Sequence, residues 1–162
     1  MIKILFICHG NICRSATAEF MLKDMVNKAG LSDKFYIESA GTSNEEVWNG
    51  KGNPIYPPAL KTLKEHGIGV KGNELGVSAK EARQTTKRDY RKFDYIIGMD
   101  KYNLKNMQRI YGGDPERKLS LLMDYTDRPR SVADPWYTGN FDDAWNDIYE
   151  GCSALFEVLQ KQ

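Results

Sequence analysis

The chain has 162 residues, 41% of them hydrophobic and 28% charged, which is enough apolar content for one domain, spanning residues 1–162, with a real core. Lys and Arg number 23 against 22 Asp and Glu, so no net charge recommends a nucleic acid or another polyanion as partner. Three cysteines cannot build a disulfide framework, and the opening apolar run Ile2 to Ile7 is too short for a signal segment or a membrane span. The expectation is a monomeric cytoplasmic protein with free thiols, away from membranes. In chain order, Ile2 to Ile7 reads as a buried strand, and Ala18, Met21, Leu22, Met25 and Val26 then recur at helical spacing until Gly30. Phe35 to Ser39 is a second strand, and a helix runs from about Pro58 through Leu60 and Leu63 to His66, closed by Gly67. The basic cluster Lys87 to Lys92 is a solvated helical turn; Tyr95 to Met99 is a third strand, Lys101 to Tyr111 a helix and Leu119 to Met123 a fourth strand. A final helix carries Trp145, Ile148, Tyr149, Cys152, Leu155, Phe156 and Leu159 in one stripe, led by Asp142 and Asp143 at the positive end of its dipole. Strands separated by helices imply a doubly wound parallel sheet with helices on both faces, whose ligands sit beyond the carboxyl ends of the strands. Repeats, low-complexity segments and domain linkers are absent.

The segment between the first strand and the first helix is the most informative in the chain. It reads Cys8-His9-Gly10-Asn11-Ile12-Cys13-Arg14-Ser15. A strand delivers the chain to Cys8, Gly10 and Asn11 permit left-handed backbone, and a helix starts at about Arg14. The loop N–H groups from His9 to Ser15 and the positive end of the helix then converge on one point, as a phosphate cradle requires. An anion held there lies against the Cys8 sulfur, and the amides, Arg14 and the Ser15 hydroxyl all favour a thiolate. Arg14 suits the oxygens of a phosphoryl group because its planar fork donates two parallel hydrogen bonds. A buried, inert cysteine is the commoner fate of a free thiol, but it leaves this loop unexplained.

Together with Glu38 to Ser43 (ESAGTS), Glu81 to Asp100 (EARQTTKRDYRKFDYIIGMD) and Ala133 to Tyr137 (ADPWY), the loop resembles the low-molecular-weight protein tyrosine phosphatases over about Ile2 to Leu159. The resemblance implies a four-stranded sheet in the order 2-1-3-4 and hydrolysis of phosphotyrosine-containing proteins, or of small aryl phosphates, through a phosphocysteine. Inorganic phosphate is then the product, and no cofactor and no metal are implied. Asp-Pro alone is a turn signal, but the family motif makes Asp134 the general acid. Trp136 and Tyr137, with Trp48, are expected as aromatic walls for the substrate ring. The stretch Asn44 to Pro58 is longer than the family pattern. Asn11 and Ser39 are expected to support the loop in an Asn–Ser–His network, in which Lys80 here stands where a His is usual. His66 matches a different position and reads as a surface residue at a helix end.

Three alternatives share the loop. An arsenate reductase needs a downstream cysteine pair, and after Cys13 only Cys152 remains, inside a core stripe. A phosphoarginine phosphatase is implied by a threonine in the loop, where this chain has Ile12. A phosphate- or phosphopeptide-binding module has no need of both Cys8 and Asp134. Cys13, five residues after Cys8, is expected as a resolving thiol that traps oxidised Cys8 as a disulfide.

Overall fold

In the computed structural model, which describes residues 1–162, four parallel strands lie side by side: β1 (Ile2–Cys8), β2 (Phe35–Gly41), β5 (Tyr95–Gly98) and β6 (Leu119–Leu121). Their order is β2-β1-β5-β6, the 2-1-3-4 arrangement once the small antiparallel hairpin β3 (Val47–Trp48) and β4 (Lys51–Gly52), which stands outside the sheet, is left uncounted. β1 is central and buried on both faces. Its Ile4, Phe6 and Cys8 face the larger core with α1 (Arg14–Lys28), α2 (Pro57–Glu65) and α6 (Phe141–Gln160). Leu5 and Ile7 face a smaller core with α3 (Lys87–Lys92) and α4 (Lys101–Tyr111). This alternation is the two-residue period of a strand read on both sides at once, which is why the sequence shows it as an unbroken apolar run. Each Leu or Ile so buried contributes about 1.5–3 kcal/mol.

Two elements depart from expectation. The fourth strand stops at Leu121 because the Asp124 carboxylate accepts from the Leu121 N–H at 3.1 Å and draws Leu122–Tyr125 into a 3₁₀ turn. The long stretch Asn44 to Pro58, for which no element is expected, carries the β3–β4 hairpin. Asn49 and Gly50 form its turn at φ 52° and 77°, the left-handed pair a two-residue hairpin needs. A further single turn, α5 (Pro135–Thr138), starts from Asp134.

The sheet places the loop by extending beyond itself. Past Gly41, β2 runs on beside the loop, so that Thr42 N–H donates to the Cys8 carbonyl and Ser43 N–H to the His9 carbonyl, each at 3.0 Å. On its other edge, Gly41 exchanges hydrogen bonds of 2.8 Å with Arg83 and Thr85. A Cβ on Gly41 would lie 2.6 Å from the His9 carbonyl oxygen, closer than real contacts allow. Gly41→Ala is therefore expected to lower stability by about 1–3 kcal/mol and to reduce phosphate affinity, because the strand and the loop must part. Urea midpoints and vanadate binding check this; an unchanged midpoint would show that the two segments separate without cost.

Candidate active site

Asn11 turns the loop. Its φ of 63° is left-handed, its own N–H points to Cys8 Sγ at 3.3 Å, and its side chain is 1% exposed. Asn tolerates this conformation better than other non-glycine residues because its amide bonds locally. Here Asn11 Nδ2 donates to both Ser15 Oγ and Ser39 Oγ at 2.9 Å, and Asn11 Oδ1 accepts from the Arg83 N–H at 3.1 Å. Ser15 Oγ in turn lies 2.9 Å from Cys8 Sγ. The sulfur thus sits at the bottom of the loop with a hydroxyl and an amide directed at it. The N–H groups of the first turn of α1 have no carbonyl four residues back to bond, so they face the same space.

Arg14 begins α1 and is buried. Its Nη1 donates to the Val132 carbonyl at 3.2 Å, and its Nη2 lies 3.0 Å from Asp100 Oδ2 and 3.6 Å from Asp134 Oδ2. Asp100 is the N-cap of α4, accepting from the Asn103 N–H through its other oxygen at 2.8 Å. One carboxylate therefore ties the helix that follows β5 to the guanidinium of the loop. Asp134 caps α5, accepting from the Trp136 N–H at 3.0 Å, and keeps 25% of its side chain exposed. Asp134, 120 positions beyond Arg14 (134 − 14), is thereby brought to the residue that closes the Cys8 loop.

The remaining candidates divide. Ile12 is fastened through its carbonyl, which accepts from the Tyr56 N–H at 2.7 Å. Gly10 lies beside Glu46, whose Cγ would be 3.1 Å from an added Cβ. His9 is exposed and its Nε2 meets Glu45 Oε1 at 2.7 Å, so the segment before β3 leans on the loop. Trp136 lies over Tyr56 with ring centroids 5.6 Å apart, while remaining 71% exposed. Trp48 and Tyr137, expected beside Trp136 as aromatic walls, are 79% and 90% exposed: one flanks the hairpin turn and the other projects from a single-turn helix. Cys13 is buried and free, and burial first, then the Cys8 charge, pushes its thiol up to about 12. His66 stacks on Trp145 at 4.2 Å, far from this chemistry in role: its Nδ1 meets the Thr62 carbonyl at 2.9 Å as α2 ends.

Sequence reasoning missed Asp100, Glu19, Arg83 and Tyr56. Asp100 had a signal, being a capping residue placed just beyond the carboxyl end of a strand. Glu19 accepts from the Ser39 hydroxyl at 2.6 Å, and Lys80, at 3.5 Å from the same oxygen, donates to the Ser39 carbonyl at 2.9 Å. Arg83 is clamped between Asp89 and Glu38 at 3.0 and 3.3 Å. Burial alone would raise both carboxyls, but hydrogen bonds outweigh it, chiefly from Arg83 to Asp89 and from Tyr36 to Glu38, and hold both below the ordinary carboxylate range.

A parallel sheet whose first strand ends in a Cys-containing anion loop closed by Arg14 defines the class of low-molecular-weight, cysteine-dependent phosphatases. The sequence profile described as "Low molecular weight phosphotyrosine protein phosphatase" matches residues 3–162, and the chain belongs to that family. It is 35% identical to the low molecular weight protein-tyrosine-phosphatase YfkJ of Bacillus subtilis over 100% of this chain and 98% of that protein. It is 38% identical to the corresponding phosphatase of Schizosaccharomyces pombe over 91% of this chain and 88% of that one. The crystal structure of YfkJ superposes with a TM-score of 0.87 at 36% identity, covering 99% and 96% of the two chains. That of DARP, drosophila arginine phosphatase, gives 0.82 at 28% identity, covering 98% of each.

Replacing Ser15 by Ala removes the one hydroxyl bonded to Cys8 Sγ. We expect Ser15→Ala to slow the release of nitrophenolate from para-nitrophenyl phosphate roughly tenfold or more while vanadate affinity changes less, since charge-assisted hydrogen bonds are the strong ones. Equal losses in both would assign Ser15 to shaping the loop alone.

Proposed function

We propose that the protein hydrolyses phosphotyrosine, in phosphotyrosine-containing proteins or as small aryl phosphates, with Cys8 as nucleophile, Arg14 as phosphoryl clamp and Asp134 as general acid. The observation that supports this assignment most directly is the 3.6 Å contact of Asp134 with Arg14, the last-but-one residue of the Cys8 loop. In the first step the Cys8 sulfur bonds to phosphorus, the bond from phosphorus to the aryl oxygen breaks, and the Asp134 proton goes to that oxygen. In the second, water attacks the phosphocysteine, Asp134 takes the proton of that water, and the bond from phosphorus to sulfur breaks to return the thiolate and release inorganic phosphate. The loop amides from His9 to Ser15 and the Arg14 fork hold the equatorial oxygens throughout. Trp136 above Tyr56 supports an aromatic leaving group at the rim. Three free cysteines favour a reducing compartment such as the cytoplasm.

The likeness to an arginine phosphatase favours a second reading, phosphoarginine as substrate. Ile12, an apolar residue at the loop position where threonine implies phosphoarginine, argues for the aryl ester. Rates on phosphotyrosyl and phosphoarginyl peptides decide between them; a higher kcat/KM on phosphoarginine would reverse the assignment. Asp134→Ala is expected to depress kcat by about two to four orders of magnitude for poor leaving groups and less for good ones. A uniform small loss across leaving groups would mean that another group donates the proton.

Cys13 is proposed as the resolving thiol. Peroxide transfers one oxygen to the Cys8 thiolate, giving a sulfenic acid and hydroxide. The Cys13 sulfur then attacks the Cys8 sulfur, and the disulfide forms as the hydroxyl leaves with the Cys13 proton as water. After mild peroxide, peptide mapping should find Cys8 joined to Cys13, and Cys13→Ser should recover a smaller share of its own untreated activity with thiol than the parent does. Equal recovery would remove Cys13 from this role.

A further inference from the structure

Asp134 comes to Arg14 on a stretch without regular structure, residues 129–134, and whatever holds that stretch decides where the carboxyl stands. Val132 is its one core residue. Its side chain is buried, its N–H donates to the Met99 carbonyl at 2.9 Å and its carbonyl accepts from Arg14. Beyond it, the backbone hydrogen bonds from Asp134 to Gly139 stay within α5 and its flanks. One further bond ties the chain to the rest of the protein before Asp134 is reached: the Ala133 N–H donates to Asp147 Oδ2, on α6, at 2.9 Å.

The Asp147 side chain is 18% exposed, and its other oxygen accepts from Arg130 Nη2 at 2.9 Å. Arg130 stands three residues before Ala133 (133 − 130), so one short segment grips α6 twice, by a side chain and by a backbone amide. The Arg130 fork also spans Glu150, on the same face of α6, at 2.8 and 3.3 Å, and meets the Arg128 carbonyl at 2.9 Å. These contacts fix the plane of the guanidinium, and the guanidinium fixes the Asp147 carboxylate with Oδ2 turned to Ala133. Exposed ion pairs add little to stability, and Glu150 is exposed, so its pairing with Arg130 is a weak reason for the arrangement. A carboxylate spent on a single backbone amide next to Asp134 is a stronger one. The two residues it joins are 14 positions apart, and their bond closes the base of the loop that carries Asp134, Trp136 and Tyr137. Without it, the unfastened span would begin at Val132, and the carboxyl would be spread over more positions.

We propose that Asp147 is a positioning residue for the general acid: oriented by Arg130, it holds the Ala133 N–H and so keeps the Asp134 carboxyl within reach of the leaving-group oxygen. This rests on the reading of Asp134 as the acid, and it extends that reading to two residues that touch neither substrate nor sulfur. Two other roles compete with it. One is a staple between the segment and α6 that serves stability alone; the other is an effect on Arg14, which bonds the neighbouring Val132 carbonyl.

Asp147→Ala and Arg130→Met, each alone and each combined with Asp134→Ala, separate these roles. For every protein, kcat/KM is measured on aryl phosphates that differ in the basicity of the leaving phenolate, with inhibition by inorganic phosphate and the thermal midpoint alongside. Proton donation matters most for the basic leaving groups, which a staple has no means to single out. Asp147→Ala should lose roughly tenfold in kcat/KM on phenyl phosphate and no more than about twofold on para-nitrophenyl phosphate, with phosphate inhibition within about twofold of the parent. Arg130→Met should show the same pattern at smaller amplitude. In the Asp134→Ala protein neither substitution should cost anything further on either ester, because both act through the carboxyl already removed. A loss equal for all leaving groups, or one that adds in full to that of Asp134→Ala, would reduce Asp147 to a staple. A loss matched by weaker phosphate inhibition would route it through Arg14, and either result overturns the proposal. If Asp147→Ala does not fold, Arg130→Met decides by the same pattern. Should Asp134→Ala itself keep the leaving-group dependence of the parent, the acid reading falls and the proposal with it. A dependence steepened by Asp134→Ala and untouched by Asp147→Ala overturns the proposal alone.

Discussion

Neutral amides hold a doubly charged anion only if many of them face one point, and that forces the chain to reverse within a few residues and start a helix at once. Between Cys8 and Arg14 the reversal turns on Asn11, whose left-handed backbone at φ 63° is a conformation other side chains rarely adopt. The surroundings over-determine it. The Asn11 amide uses all three of its polar bonds, to Ser15, Ser39 and the Arg83 N–H, and no buried side-chain polar atom of the protein is left without a partner. An anion loop that collapsed when empty would have to be reordered at each binding event; one built into the sheet edge is ready beforehand.

The fold supplies that rigidity by fastening the loop from separate directions. β2 runs beyond the sheet to bond the carbonyls of Cys8 and His9, and the segment before α2 bonds that of Ile12. α4 reaches back through Asp100 to Arg14. These anchors come from chain regions with their own cores on opposite faces of the sheet, so the loop is gripped between two independently packed layers. The mouth is different in kind. Asp134 and Trp136 sit on a single helical turn with much of their surface in water, on the class of element that moves and adapts. A rigid anion loop under a lightly packed rim suits chemistry that must admit a bulky ester and release two products.

What could be read from the sequence was whatever is local along the chain. β1 announces itself because both of its faces are buried, and the loop because cysteine, turn residues and helix start are contiguous from Cys8 to Ser15. Asp134 became legible only through the resemblance, since an Asp before Pro is otherwise a turn. The Asn49-Gly50 hairpin was written plainly and passed over, its signal hidden by the short strands on either side. Asp124 shortened β6 by a side-chain bond that no periodicity encodes. Glu19, Lys80 and Arg83 were beyond reach for a deeper reason: each is an ordinary charged residue in its own segment and acquires meaning only when the fold brings distant segments to Ser39 and Asn11. That Lys80 departs from the family's usual His was visible; what it touches was not.

The central claim is that Cys8 becomes covalently phosphorylated. Rapid mixing with a stoichiometric excess of para-nitrophenyl phosphate, with acid quench on the millisecond scale and peptide mapping, tests it most directly. The account predicts a burst of nitrophenolate equal to the enzyme concentration, with phosphorus bound to sulfur on the peptide that contains Cys8 and nowhere else. Steady turnover without a burst, and with no phosphoryl group on Cys8 at any time of quench, would contradict it.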